Sequence, residues 1–369
     1  AVDGLCELLD EVEAAPDRPA ALSEKLSALL WNLGEALCRC GRPLAATAWL
    51  HRALPFLSEE GHAAAGWRAL AACHSLAGEA DQARRCAETA LGHDPTDAHA
   101  ATLVLVNAVA RGEAQVASRL LSRARAQELS LSAVQVAFLA EELGKQPASA
   151  LHLECLELLL KCASDDPESL REVGATPQGL LRQLMEAADA CGEPVKRLAR
   201  HLGEATSMPH LPEADARWFV EFAWSRAVKL AGHEEWADAA VLFECAHTLL
   251  ERHVSGTAAK QARCAAAVAR TLLLQAQRQE GSEEGRGLLQ RSLSWAERGR
   301  ECLLRAGKGR GEEDAEAAAA DQALARLQFE GLCRLRSPSL AGPKGEELLA
   351  AAARDPSSAA RLARLALEA

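Results

Sequence analysis

Apolar and small residues recur along this chain at helical spacing, without the alternation that is typical of half-buried strands. In the first half of the chain they form paired runs, and a glycine stands between the two runs of each pair. These glycines are Gly41, Gly78, Gly112 and Gly144. The order predicts a series of helical hairpins, with one glycine ahead of each second helix.

One stretch, Trp67 to Pro95, has the residue offsets of a tetratricopeptide repeat, a helical hairpin with a period of about 34 residues. In that repeat, small residues lie where the two helices cross and large residues fill the seam. The matching residues are Trp67, Leu70, Ala71, Gly78, Ala83, Ala90, Leu91 and Pro95. The same offsets fit upstream at Leu30, Leu33, Gly34, Leu37, Gly41, Ala46, Leu50, Ala53 and Leu54, and downstream at Val104, Ala108, Gly112, Ala117, Leu121 and Ala124. Three consecutive units predict an all-α fold, a right-handed alpha-alpha superhelix with a concave face for partners.

Breaks in the pattern predict four regions. Pro16 ends a short first helix expected at about 3–13, and a weaker fourth hairpin ends near Lys161. Proline-containing turns then interrupt the period, which returns with Phe243 at a second-helix position. The regions are 1–22, an N-terminal helix and linker; 23–162, tetratricopeptide-like repeats; 163–213, an irregular helical interval; and 214–369, a second helical-repeat block. Helices in the last block are expected at about 257–278, 284–305 and 313–335, with a short pair at 344–368.

The amino-acid composition of the chain affects how several sequence features are interpreted. The chain has no Ile, no Tyr, two Asn, and 8 Lys against 33 Arg, a pattern that extreme GC bias of the gene explains. The abundance of Arg is therefore no sign of nucleic-acid binding. A net charge of −11 argues against nonspecific DNA binding, because phosphate contacts need a basic face.

Neither a membrane anchor nor a disulfide framework is predicted. No stretch approaches the roughly 18 uninterrupted apolar residues of a transmembrane helix, and the 12 cysteines are scattered through helical patterns. Cys38 and Cys40, with His51 downstream, come nearest to a metal motif. Since a C-x-C pair on one helix points its thiols to different faces, no metal site and no cofactor are expected.

Catalytic motifs are scarce as well. The glycine-rich joint from Gly307 to Gly311 lacks both the spacing of a phosphate-binding loop and a preceding strand. The acidic run from Glu312 to Asp314 is interpreted as a solvated helix start. Because the chain also lacks a nucleophile elbow and a zinc-protease motif, no enzyme activity is predicted.

A tryptophan-rich helix in the second block carries a more specific resemblance. Together with Trp31 and the repeats that follow, it is similar to the meiotic tetratricopeptide-repeat proteins of the Zip-four and Spo-twenty-two type. Those proteins have a W-F-x-x-x-A-W-N helix and a later aromatic residue in the next helix. The matching residues are Trp218, Phe219, Ala223, Trp224 and Phe243. Ser225 stands where the family has Asn, and the resemblance spans roughly 23–335.

This resemblance implies a non-catalytic scaffold that promotes meiotic crossover formation and chromosome synapsis in the nucleus. Its partners are then other proteins: crossover factors and components of the chromosome axis or synaptonemal complex, without direct contact to nucleic acid or membrane. Because that family is longer, the chain, which starts at Ala1, is expected to be a segment. The alternative is an adaptor of another pathway, such as a chaperone or transport cofactor, for which Asn32 and Arg39 are present but a matching Lys in the next repeat is not.

The fifth position of each repeat faces the concave groove in tetratricopeptide proteins, and Trp31 and Trp224 occupy that position. Their rings either stack on a bound peptide or fill the seam between adjacent repeats, and helical spacing by itself favours the seam. Arg39 and Arg68 are suited to clamp acidic groups. The candidate groove residues are Trp31, Glu35, Arg39, Arg68, Ser75, Thr102 and Trp224.

Overall fold

A computed structural model describes residues 20–57, 60–145, 149–306, 312–335 and 343–352. Every regular element in these ranges is a helix, and they contain no strand. Most helices pack against the next one or two helices in the chain, as expected for stacked hairpins. The expected all-α solenoid is therefore confirmed. The helix expected at 3–13 and the joint from Gly307 to Gly311 lie outside the described residues.

The chain divides into two compact units, 1–191 and 192–369, and the division lies inside the interval 163–213. A short 3-10 helix, Leu54–Phe56, follows α2 in the first unit. The helices of the first unit are α1 (Ala20–Arg39), α2 (Pro43–Ala53), α3 (Glu60–Leu76), α4 (Ala80–His93), α5 (Ala98–Ala110), α6 (Ala114–Arg125), α7 (Ala133–Gly144), α8 (Ala150–Asp165), α9 (Pro167–Glu172) and α10 (Pro177–Ala190).

Small residues recur at the helix crossings of the first unit, which confirms the repeat register. Ala46, Ala83 and Ala117 are the matching second-helix positions of three consecutive repeats, and all three are completely buried. Gly34 shows how close the helices approach at a first-helix position. A Cβ atom added there would lie 2.8 Å from Cγ of Leu50, so the neighbouring side chain would have to move.

Turn chemistry also follows the predicted pattern, with one difference. Gly41, Gly78 and Gly112 have positive φ angles of 71°, 78° and 71°, a conformation that costs residues with a Cβ about 1–2 kcal/mol. Gly144 instead ends α7 without a positive φ. In the second unit, Glu234 takes the left-handed role with φ 64°.

The second unit contains longer helices, and its predicted segments at 257–278, 284–305 and 313–335 are each confirmed within about two residues. Of the short pair expected at 344–368, the described residues include one helix. The helices are α11 (Val195–Ser207), α12 (Glu213–Gly232), α13 (Trp236–His253), α14 (Ala258–Arg278), α15 (Glu283–Ala306), α16 (Glu312–Arg334) and α17 (Pro343–Ala352).

The tryptophan-rich helix of the sequence is α12, and it packs against α13. Phe219 and Ala223 are completely buried, as are Ala239 and Ala246 on α13. Small residues again occupy the crossing, so this hairpin repeats the packing of the first unit. Three further aromatic side chains of α12, Trp218, Phe222 and Trp224, are half-buried, and Trp224 contacts Phe243 of α13.

Candidate protein-binding site

The candidate groove residues of the first unit lie on the first helices of successive hairpins, α1, α3 and α5. Trp31 is half-buried and lines a cavity of about 210 Å³ between α1, the 3-10 helix and α3. Phe56 and Leu57 form its apolar part, and Glu24 and His62 lie among its polar lining. Trp31 thus combines packing in the seam with access to a cavity.

Two of the charged candidates pair with each other. Nη2 of Arg39 lies 3.2 Å from Oε1 of Glu35, one turn earlier on α1, and both side chains are more than half exposed. Exposed pairs at this spacing contribute only about 0.3–0.5 kcal/mol, so a ligand can displace this one at little cost. Arg39 and Glu35 thus place one positive and one negative charge on the exposed surface of α1.

Arg68 has a different environment. Its Nη1 lies 2.7 Å from Oδ2 of Asp97, and the Asp97 side chain is only 2 % exposed. Asp97 also caps α5, since its Oδ1 accepts hydrogen bonds from the backbone amides of His99 and Ala100. Arg68 is therefore a structural partner of a buried cap, and its guanidinium is not free to clamp a ligand.

Ser75 and Thr102 complete the set in the first unit. Ser75 is exposed near the end of α3, whereas Thr102 is half-buried. The Thr102 hydroxyl donates a hydrogen bond of 2.8 Å to the backbone carbonyl of Ala98, one turn earlier. Of these two side chains, only Ser75 presents its hydroxyl to solvent.

Trp224, in the second unit, lies at the edge of a better-formed pocket. Its ring centre is 4.9 Å from that of Phe243 in an edge-on arrangement, which anchors one side of the indole in the α12/α13 core. On another side, Cζ of Arg263 from α14 lies 5.6 Å from the ring centre, a cation–π distance. Trp224 therefore has a packed side and a side that lines open space.

That open space, here called the α12–α14 pocket, has a volume of about 270 Å³. Its apolar lining includes Val220, Leu250 and Val254, and basic side chains stand around it. The complete lining is Arg217, Val220, Glu221, Trp224, Ser225, Leu250, Val254, Thr257, Lys260, Arg263 and Cys264. Three basic side chains and one acidic side chain line the pocket, in a chain whose net charge is −11.

The basic side chains of the pocket differ in whether they form ion pairs with other residues. Arg217 forms an exposed ion pair of 2.5 Å with Glu213, and Arg263 pairs with Glu316 from α16. Lys260 is exposed and makes no hydrogen bond or ion pair with any residue that the structure describes. Lys260 is therefore the most available cation of the pocket.

The floor of the pocket includes the buried thiol of Cys264. Burial raises its pKa to about 12, although the nearby guanidinium of Arg263 acts in the opposite direction. A thiol with such a pKa stays protonated at neutral pH and is a weak nucleophile. In the described ranges, no three His, Cys, Asp or Glu side chains converge in a way that could hold a metal ion.

The seven sequence candidates are divided between the two units. Six lie on helices of the first unit, and Trp224 lies in the second unit. Lys260 and Arg263 were missed, because the repeat period is not readable in the sequence after His253 and their positions could not be assigned to a face. None of the helices in the described part of the chain is long and apolar enough to span a bilayer.

The chain has matches among solved structures. No protein-family model matches it, and no curated protein does. Among solved structures it resembles yeast Tom70 with 10 % identity, covering 94 % of this chain and 96 % of that one, at a TM-score of 0.24. A circular tandem repeat protein with a novel repeat topology matches with 16 % identity over 95 % and 76 % of the two chains, at a TM-score of 0.20. Because both scores are low, the assignment of the fold rests on this chain's own helices and contacts.

Proposed function

We propose that this chain is part of a meiotic scaffold, which joins crossover-promoting proteins to components of the chromosome axis or synaptonemal complex in the nucleus. The observation that supports it is the aromatic pattern Trp218, Phe219, Ala223 and Trp224, which resembles the Zip-four and Spo-twenty-two type. In the structure, the residues of this pattern differ in burial. Phe219 and Ala223 are buried, while Trp224 lines the α12–α14 pocket.

A helical-repeat scaffold suits this task, because stacked hairpins expose a long surface on which several proteins can bind at once. Binding then depends on a few well-placed side chains, among which tryptophan and arginine are frequent. Trp31 and Trp224 provide one such tryptophan in each unit. The scaffold itself carries out no chemistry in this proposal.

The charge of the chain bears on how it reaches chromosomes. With 52 acidic and 41 basic residues, the chain has a net negative charge that disfavours binding to the phosphate backbone of DNA. The scaffold is therefore recruited through proteins that have basic surfaces. Recruitment of this kind needs no nucleic-acid contact.

Localisation of the protein tests the proposal. The full-length protein is tagged at its native locus in the source organism, and chromosome spreads from meiotic prophase are compared with cells in mitotic growth. The proposal predicts nuclear foci along chromosome axes in prophase and little protein in mitotic cells. A steady cytoplasmic signal in mitotic cells, with none gained on chromosomes in meiosis, would leave a generic helical-repeat adaptor instead.

A further inference from the structure

We propose that the α12–α14 pocket binds an acidic segment of a partner protein that inserts one apolar side chain beside Trp224. This inference rests on the proposed function only in so far as the chain binds proteins. It does not depend on whether those proteins are meiotic. The lining of the pocket indicates which chemical groups the partner presents.

The apolar half of the pocket defines what is inserted. Val220 on α12 and Leu250 and Val254 at the end of α13 line it together with the accessible side of Trp224. An aliphatic or aromatic side chain that enters here is removed from water on several sides, which favours binding. A tryptophan already held by Phe243 loses little conformational freedom when it contacts such a side chain.

The joint between α13 and α14 fixes the shape of this half. The hydroxyl of Thr257 donates a hydrogen bond of 3.1 Å to the backbone carbonyl of Val254, and the Gln261 side chain donates to the carbonyl of Leu250 at 3.4 Å. These bonds hold the end of α13 against the start of α14. The pocket is therefore formed before any partner arrives, which lowers the entropic cost of binding.

The charged half defines what flanks the inserted side chain. Lys260 projects to solvent without a partner among the described residues. Arg217 has an exposed ion pair, while Arg263 pairs with Glu316 and also lies over the ring of Trp224. Such pairs are worth little, so carboxylates of a ligand can replace Glu316 and Glu213 without a large loss. Complementary charge selects an acidic segment and rejects a basic one.

The size of the pocket and its open side suit the insertion of a side chain from a longer segment. About 270 Å³ lies below the roughly 300–1,000 Å³ of typical small-molecule pockets, and the pocket is open on one side. A single apolar side chain can enter it, while the main chain of the partner stays outside along α12 and α14. The occupant is thus one anchor residue of a longer acidic segment.

The test uses short fluorescein-labelled peptides in which Asp and Glu flank a single Leu or Phe, with matched sets that carry Lys for the acids or Ser for the anchor. Binding to the purified chain is measured by fluorescence anisotropy at low and high salt. The acidic, anchored peptides are expected to bind, more weakly at high salt because exposed charges are screened. The two control sets are expected not to bind.

Two variants then locate the binding site. Lys260→Glu reverses the charge of the pocket-lining cation that has no partner among the described residues, and it is expected to weaken binding about tenfold or more. Lys229→Glu makes the same change at an exposed residue of α12 that does not line the pocket, and binding should be retained. Trp224→Ala serves as a second pocket variant, with its thermal midpoint recorded because it also removes the contact with Phe243.

The outcomes are decisive in both directions. The proposal is overturned if no acidic peptide binds better than its lysine-bearing counterpart, or if Lys229→Glu weakens binding as much as Lys260→Glu. If peptides bind as expected but the tagged protein never appears on meiotic chromosomes, the meiotic role fails and the pocket stands. If the protein marks meiotic chromosomes and no acidic peptide binds, only the pocket assignment fails.

Discussion

The guanidinium of Arg68 on α3 reaches across to the next hairpin and lies 2.7 Å from the buried carboxylate of Asp97. Asp97 is also the N-cap of α5, where it accepts hydrogen bonds of 3.0 Å from the backbone amides of His99 and Ala100. One carboxylate thus satisfies the start of a helix and links two consecutive repeats. The helix cap and the ion pair with Arg68 together compensate for the burial of the Asp97 side chain.

Asp97→Ala should therefore destabilise the chain more than loss of an ordinary cap. The cap by itself is worth about 1 kcal/mol, and the buried ion pair raises the expected loss to about 2–3 kcal/mol. Arg68→Glu should also destabilise, because it places a second negative charge beside the buried carboxylate. Arg85→Glu, at an exposed residue of α4, is the control and should change the free energy of unfolding by less than about 0.5 kcal/mol. Urea unfolding measures all three, and equal stability of Asp97→Ala and wild type would contradict the dual role.

Larger residues at the helix crossings should overpack the repeats. Ala83 and Ala117 are completely buried at equivalent positions of consecutive hairpins. Replacement of either by Leu is expected to cost about 1–3 kcal/mol. Ala80→Leu and Ala114→Leu, at exposed positions of the same helices, should be almost neutral. The repeat register is wrong if thermal unfolding shows no difference between the buried and the exposed substitutions.

Glu234 adopts the left-handed conformation that glycine adopts at Gly41, Gly78 and Gly112. Two variants that both lose its ion pair with Arg278, Glu234→Gly and Glu234→Ala, isolate the backbone effect. The glycine variant should be more stable than the alanine variant by about 1 kcal/mol, because only alanine has a Cβ at positive φ.

The control for this comparison is an ordinary helical position. At exposed Arg270, in the middle of α14, the order should reverse, with alanine more stable than glycine by about 1 kcal/mol. Thermal unfolding of the four variants gives both differences. The same order at both positions would show that Glu234 is not held in the left-handed region.

His247 is expected to make stability depend on pH. Its ring is completely buried beside Trp295, at 5.1 Å between ring centres, and neither nitrogen has a hydrogen-bond partner in the described structure. Burial, and to a smaller extent the charge of Arg298, lowers its pKa to about 4. The folded chain therefore keeps this histidine neutral, while the unfolded chain binds a proton below its ordinary pKa of about 6.5.

The sign of the effect follows from that difference. Stability from the neutral ring is fully present above about pH 6.5 and is lost as the pH falls toward 4. Urea unfolding at about pH 7 and pH 5 should differ by about 2 kcal/mol through this residue. His247→Leu should flatten the dependence, whereas His233→Leu, at an exposed residue, should leave it unchanged. An unchanged slope in His247→Leu would contradict this account.

Much of the fold could be predicted from the sequence, because each hairpin carries its own local signals. Small residues such as Ala83 mark a crossing, and Gly78 marks a turn, so helix order and register follow without knowledge of the neighbours. The helices after His253 were also predictable from polar joints between apolar runs. The turn at Glu234 was not, since nothing in that residue type announces a positive φ.

The candidate site was predictable only in part. Trp224 could be selected as a candidate because its hairpin keeps the repeat offsets, and it lines the α12–α14 pocket. Lys260 and Arg263 could not, since α14 is longer than a standard repeat helix and its facing residues depend on how α13 ends. The pairing of Arg68 with Asp97 was likewise invisible, because it joins two repeats through side chains that the repeat pattern does not specify. The hairpins could be predicted from the sequence, whereas the contacts between hairpins could be identified only from the structure.

The most direct test of the central claim, a protein-binding scaffold that acts in meiosis, is the number of crossovers per meiosis. A null allele is complemented in the source organism with the wild-type gene, with Lys260→Glu combined with Trp224→Ala, or with Lys229→Glu, and protein levels are checked to be equal. The account predicts few crossovers and incomplete synapsis in the null and in the pocket variant, and normal values with wild type and Lys229→Glu. Normal crossover numbers and full synapsis in the null would contradict it.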